Sequence, residues 1–169
     1  MTIFKDDLSA GLKAGMRRLA ASVCIISLKD KQGVPHAMTA TAVTSLSDNP
    51  PALLICVNKN ATAYAALRDA QPFCINVLHQ SQQELSVHCA SKSEDGRFAK
   101  GNWQTHTSGL PYLADAEVNF FCVSDTTESK RVMEYGSHLM AIGKLTEVFT
   151  AEGDTSPLLY ADGKYRSLN

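Results

Sequence analysis

Apolar residues recur at three- and four-residue steps through Ile3, Phe4, Leu8, Leu12, Met16 and Leu19, the stripe of an amphipathic helix. The pattern then changes. Ser22 to Leu28 is a β-rich apolar run, so a strand takes over near Ala21. Asp30–Lys31–Gln32–Gly33 predicts a hairpin loop, with Gly33 available for a positive φ. The chain is organised around His36 to Ala61. Within it Met38 to Ser47 sets five hydroxyls among small apolar residues and predicts one hydroxyl-rich strand. Asp48–Asn49–Pro50–Pro51 predicts a turn, because two prolines lack N–H groups and fix φ. Ala52 to Val57 is a buried strand by its unbroken apolar run, and Asn58–Lys59–Asn60 ends it with polar donors and a cation.

Beyond this stretch, alanine-rich Ala61 to Ala70 predicts a short helix ended by Gln71–Pro72. Phe73 to Leu78 is a strand with one polar interruption, Asn76. Ser81 to Ser91 predicts a helix with Ser81 as N-cap and Glu84 three residues on. Lys92 to Gly109 is polar and irregular but carries Phe98 and Trp103, which need a surface to cover. Ala116 to Val123 and His138 to Val148 predict strands, and Leu158–Tyr160 with Lys164–Arg166 a closing hairpin. Strands joined by tight turns, with helices as insertions, predict a mainly β fold: an antiparallel barrel with helical decoration, one domain over residues 1–169.

A net charge of −1, without long basic or acidic runs, points away from nucleic acid and acidic membrane surfaces. Met1–Lys13 does not read as a signal peptide, and no apolar run approaches the roughly 20 residues of a membrane helix. Five cysteines without a C-x-x-C pair read as reduced, mostly buried thiols, which suits a cytoplasmic protein.

No G-x-G-x-x-G, P-loop, G-x-S-x-G or H-E-x-x-H pattern occurs. An obvious nucleophile or metal is lacking, so an enzyme built this way takes its chemistry from a cofactor. A hydroxyl-rich strand beside a buried one, with Lys59 at its far end, is a surface suited to a flat, polar-edged anion. A plain half-solvated sheet face has the same pattern. Asn76 must find partners if buried. His138 heads a strand after Gly136–Ser137, and Arg97–Phe98 offer a charge and an aromatic plate.

These residues occur in a familiar order. His36–Ser47 reads H-x-M-T-A-x-A-x-x-S-x-S and Asp48–Pro51 reads D-x-P-P, followed by an apolar strand ending at Asn58–Lys59–Asn60. Then come Phe73–Leu78, Arg97–Phe98, Gly136–His138, Pro157–Tyr160 and Tyr165. From about Leu12 to Arg166 the chain resembles the short-chain flavin reductases, the small components of two-component flavin-dependent monooxygenases acting on phenols and 4-hydroxyphenylacetate. The resemblance implies a split β-barrel of the FMN-binding type, a homodimer, and oxidation of NADH or NADPH with FMN or FAD as acceptor. It also implies a separate oxygenase component that receives the reduced flavin. By position it puts Met38, Thr39, Ala40, Thr41 and Ala42 along the isoalloxazine edge. Ser45, Leu46, Ser47, Asn58, Lys59, Asn60, Ala61 and Thr62 fall around the ribityl chain and phosphate. Asn76, Arg97, Phe98 and Tyr165 lie near the flavin, and His138 where the nicotinamide docks. Two departures stand out: the segment between Cys122 and His138 is longer than usual, which unsettles the register of Thr126 to Tyr135, and Ala61 replaces a frequent hydroxyl residue.

Hydride transfer between two stacked rings needs reacting atoms roughly 3–3.5 Å apart and donors aimed at developing charge, not a side-chain acid. Small residues and hydroxyls meet that need. Two other readings stay open: a split-barrel flavoprotein with tightly held FMN acting as an oxidase or electron carrier, and a non-enzymatic interaction module.

Overall fold

A computed structural model describes residues 2–91, 96–124 and 132–168. The chain begins with helix α1 (Leu8–Met16), capped by the Asp7 carboxylate, which accepts from the Ala10 N–H at 2.9 Å. Strands β1 (Ala21–Ser22), β2 (Cys24–Lys29), β3 (Pro35–Ala40), β4 (Val43–Asp48) and β5 (Pro51–Asn58) follow. Helix α2 (Tyr64–Arg68), strand β6 (Phe73–Val77), a 3₁₀ turn (Gln80–Gln82) and helix α3 (Gln83–Ala90) come next. Strands β7 (Trp103–Thr105), β8 (Pro111–Leu113), β9 (Val118–Ser124), β10 (Val132–Tyr135), β11 (His138–Thr150), β12 (Leu159–Ala161) and β13 (Lys164–Arg166) complete it.

The main sheet is antiparallel in the order β3-β2-β6-β9-β11-β5-β4, with β10 paired to β11 as a hairpin. Laid flat, its end strands β3 and β4 would stand roughly 29 Å apart at about 4.8 Å per strand. Only Thr41 and Ala42 separate them in the chain. The sheet must therefore curl until its ends meet, and the fold is a split β-barrel. Its interior is filled by Ile26, Leu28, Ile55, Val57, Phe73, Ile75, Leu139 and Ala141, with Met38 and Ala40 packed against them. Gly143 permits that closeness: a Cβ there would lie 2.6 Å from Phe73 Cζ and 2.8 Å from Cys122 Cβ. A second cluster, including Val23, Ile25, Ala37, Leu78, Leu85 and Leu113, fills the space outside the sheet beneath α3.

Several expectations change. The hydroxyl-rich stretch is two strands, β3 and β4, because its pairing partner switches from β2 to β5 at Thr41–Ala42. Helix α3 is entered through His79, not Ser81. The His79 ring accepts from the Ser81 N–H, and Gln82 Oε1 accepts from the His79 N–H. The irregular segment contains β7, which pairs with β8, and the unforeseen β10 pairs with β11. Of the doubtful register, residues 126–131 lie outside the described residues, while Val132 to Tyr135 form β10. Helix α1 forms as its periodicity requires but buries no residue: Leu8 stays 74% and Leu12 66% exposed. No described helix is long and apolar enough to cross a membrane.

Candidate functional site

The turn after β5 is built by its own polar residues. Asn58 Oδ1 accepts from the Asn60 N–H at 2.9 Å, and the Ala61 N–H closes onto the Asn58 carbonyl. Lys59 is tied to the neighbouring hairpin, its N–H donating to the Ser137 carbonyl at 3.0 Å. Register sets His138 directly opposite Asn58 on one side and Tyr135 on the other. The Ser137 hydroxyl contacts His138 Nδ1 at 2.9 Å. Asn58, Lys59 and His138 thus share one end of the barrel.

Arg97 joins this end to β3. Its Nη1 donates to the Ala37 carbonyl and, at 3.0 Å, to Thr62 Oγ1. The Ala37 carbonyl therefore points away from β2. Because alternate residues of a strand present N–H and C=O to the same side, the backbone of Thr39 faces that edge too. No described strand pairs with it. Beside it lies a groove of about 360 Å³ lined by Val34, His36, Thr62, Arg97, Phe98 and others. Two cations, Lys59 and Arg97, flank the turn where a single one was expected.

Lys59 does not stand alone. Its Nζ lies 2.8 Å from Glu134 Oε2, and the Tyr64 hydroxyl donates to Glu134 Oε1 at 2.6 Å. The Lys59 contact, with the Tyr64 hydrogen bond next, holds the Glu134 carboxyl below its ordinary range. Glu134 and Tyr64 carry no local sequence signal. Spacing could not join them, because β10 meets Lys59 only through the barrel.

Other expected site residues are engaged elsewhere. Asn76 is fully buried: its Nδ2 donates to the Ile25 carbonyl and Ser27 Oγ, and its Oδ1 accepts from the Leu113 N–H and Asn119 Nδ2. Its amide is therefore engaged in holding strands together, with each of its polar atoms already partnered by the protein. Met38 and Ala40 pack against the barrel interior and are half-buried. Thr39 Oγ1 donates to the Ser86 carbonyl, and the Tyr165 hydroxyl bonds to Ser86 Oγ at 2.9 Å; both side chains brace α3. Phe98 lines the groove and packs on Trp103 with ring centroids 4.6 Å apart, both rings staying half-buried. Ser45 pairs with Leu53, five residues from Asn58 along β5, or roughly 16 Å at strand rise. Ser45, Leu46 and Ser47 therefore do not gather with the turn around one phosphate; a ligand touching both must be extended. Thr41 and Ala42 are exposed at the strand switch, and Asn60 and Thr62 on the turn, with Ala61 half-buried between them.

Burial pushes the Cys24 and Cys122 thiols up to about 12 and Cys89 to about 11, so these offer no thiolate at neutral pH.

Residues 16–169 match the flavin reductase like domain. The chain belongs to that family. As a flavin reductase-like chain it is 36% identical over 164 residues to the FMN reductase (NADH) RutF 1 of Methylorubrum extorquens strain PA1, covering 95% of this chain and 76% of that protein. It is also 36% identical over 166 residues to the reductase component of the FADH(2)-dependent resorcinol hydroxylase of Rhizobium sp. strain MTP-10005, covering 95% and 87%. Among solved structures, BorF, the flavin reductase component of a bacterial two-component tryptophan halogenase, superposes with a TM-score of 0.82 at 27% identity, covering 95% of this chain and 98% of that one.

Proposed function

We propose that this flavin reductase-like protein is an NAD(P)H:flavin oxidoreductase whose reduced flavin leaves to serve a separate oxygenase component. The carrying observation is an open backbone edge on β3 facing a turn flanked by Lys59 and Arg97, in a chain of this family. RutF 1 is named for FMN and NADH, and the resorcinol hydroxylase reductase for an oxygenase partner; both names support the reading. The residues fit a flavin: a flat ring with donors and acceptors on its pyrimidine edge meets the N–H and C=O of Thr39, and a phosphate meets Lys59. When bound, the nicotinamide supplies a hydride and the flavin accepts it.

The chain's own residues then orient and hold. The edge of β3 from Ala37 to Thr41 fixes the ring plane. Lys59 and Arg97 hold the anionic end, with Asn58 to Thr62 shaping the turn. Ser45 to Ser47 contact the ligand's extension along β4. His138, beside Asn58, positions the nicotinamide without giving up a proton.

A homodimer in the cytoplasm completes the reading, supported by the uncovered apolar face of α1 through Leu8, Leu12 and Met16. Sedimentation equilibrium of an active monomer would contradict the dimer.

Steady-state NADH and NADPH oxidation with added FMN, FAD or riboflavin tests the function. Saturable oxidation that requires added flavin is expected. No oxidation above the flavin-free background, or a bound flavin that survives dialysis and never exchanges, would contradict it.

A further inference from the structure

Glu134 occupies the place that an anionic ligand of Lys59 would need. Its two carboxylate oxygens are held from different elements: Oε2 by Lys59 after β5, and Oε1 by Tyr64 on α2. Strand pairing fixes its backbone opposite Leu139, the residue next to His138. The pair is within reach of a solute, the side chains being 33% exposed for Lys59 and 40% for Glu134. Arg68 lies over the Tyr64 ring at 5.7 Å, adding positive charge on the same side.

We infer that Glu134 competes internally with the flavin phosphate for Lys59, and so sets how strongly the site prefers phosphorylated flavins. The inference rests on the assignment of Lys59 to the phosphate made above. Binding a phosphate monoester at Lys59 exchanges one charge-assisted contact for another; it does not create one from a free cation. The phosphate therefore adds only the difference between the two contacts. Tyr64 gives the displaced carboxylate somewhere to stay, since its hydroxyl can keep Oε1 while Lys59 turns away. On release the carboxylate returns, so Lys59 is never left unpaired. Such an arrangement favours a flavin that exchanges over one that is retained.

The test uses dissociation constants of FMN and riboflavin for the whole flavin-free protein, read from flavin fluorescence. Glu134→Gln keeps the side-chain shape and can still accept from Tyr64. It should tighten FMN about two- to fivefold, the worth of a half-exposed pair, and leave riboflavin unchanged. Glu134→Ala, which removes the carboxylate outright, should move the FMN-to-riboflavin ratio the same way. In a Lys59→Ala background neither substitution should change the ratio. If Lys59→Ala lowers the ratio of FMN affinity to riboflavin affinity but both Glu134 variants leave that affinity ratio unchanged or lower it, Glu134 orients Lys59 and the competition is wrong. If Lys59→Ala itself leaves the ratio unmoved, the phosphate assignment fails and the competition with it.

Discussion

Asn76, inside β6, and Lys59, just past the end of β5, are both polar residues set beside apolar runs, and the molecule uses them in opposite ways. Around Asn76, four hydrogen bonds tie β2, β8 and β9 to β6 within the interior. The node extends further, with Ser27 Oγ donating to the Pro111 carbonyl at 2.6 Å and Asn119 Nδ2 to the Leu113 carbonyl at 3.0 Å. Every group there has a partner that cannot leave without opening the core. Around the Lys59 ammonium the partner is the half-exposed Glu134 carboxylate, exchangeable at little cost. A saturated buried network builds a fold, whereas a half-exposed pair at a strand end can trade partners. Capacity to exchange, more than polarity, separates a binding residue from a structural one.

The largest effect should come from breaking the interior node. Asn76→Ala leaves the Leu113 N–H and neighbouring polar groups without partners, at about 1–3 kcal/mol for each unsatisfied group, so unfolding in urea should fall by about 3–4 kcal/mol. Flavin affinity of the folded protein should stay as it was. Intact stability with lost flavin binding would return Asn76 to the site.

His138→Ala should sharpen the contrast from the other side. Thermal stability should barely move, because the side chain is exposed and its contact is with its own neighbour Ser137. Flavin reduction in stopped flow should slow by about tenfold through lost positioning, with flavin affinity nearly unchanged. Lost flavin binding with an unaltered hydride step would move His138 to the flavin side.

A smaller effect concerns a surface pair outside both regions. The His36 ring lies 2.9 Å from Asp30 Oδ2 and, ahead of the turn N–H donors, holds the Asp30 carboxyl below its ordinary range. A lowered carboxyl contributes stability above its unfolded value and loses it as pH falls through the lowered one. Asp30→Asn should therefore melt below the parent at about pH 6, with the difference closing toward about pH 3. A difference constant across that range would mean that the charge plays no part.

Much of this architecture is legible in local pattern. The apolar runs at Cys24–Lys29, Pro51–Asn58 and Phe73–Val77 are strands because each is short, apolar and bounded by turn residues. Periodicity also gave α1, but it records a face and not what covers it, so the absence of burial there was invisible. The break at Thr41–Ala42 could not be read because it has no breaker residue: the strand ends where its pairing changes, which is a property of the closed sheet. The turn at Asn58 to Thr62 and the position of His138 were legible through motif order. Glu134 was not, since four residues of mixed pattern become a strand only by pairing with β11. Asn76 was visible as an anomaly, and only its complete set of partners separates support from binding.

The flavin is proposed to lie between the β3 edge and the Asn58–Thr62 turn. Backbone amide chemical-shift mapping of the labelled protein, titrated with FMN, tests it most directly. Shifts should concentrate at Thr39, Asn58 to Thr62, Arg97 and His138, with Asn76 and Asn119 unmoved. Shifts centred on the Asn76 node, with the Asn58–Thr62 turn silent, would contradict it.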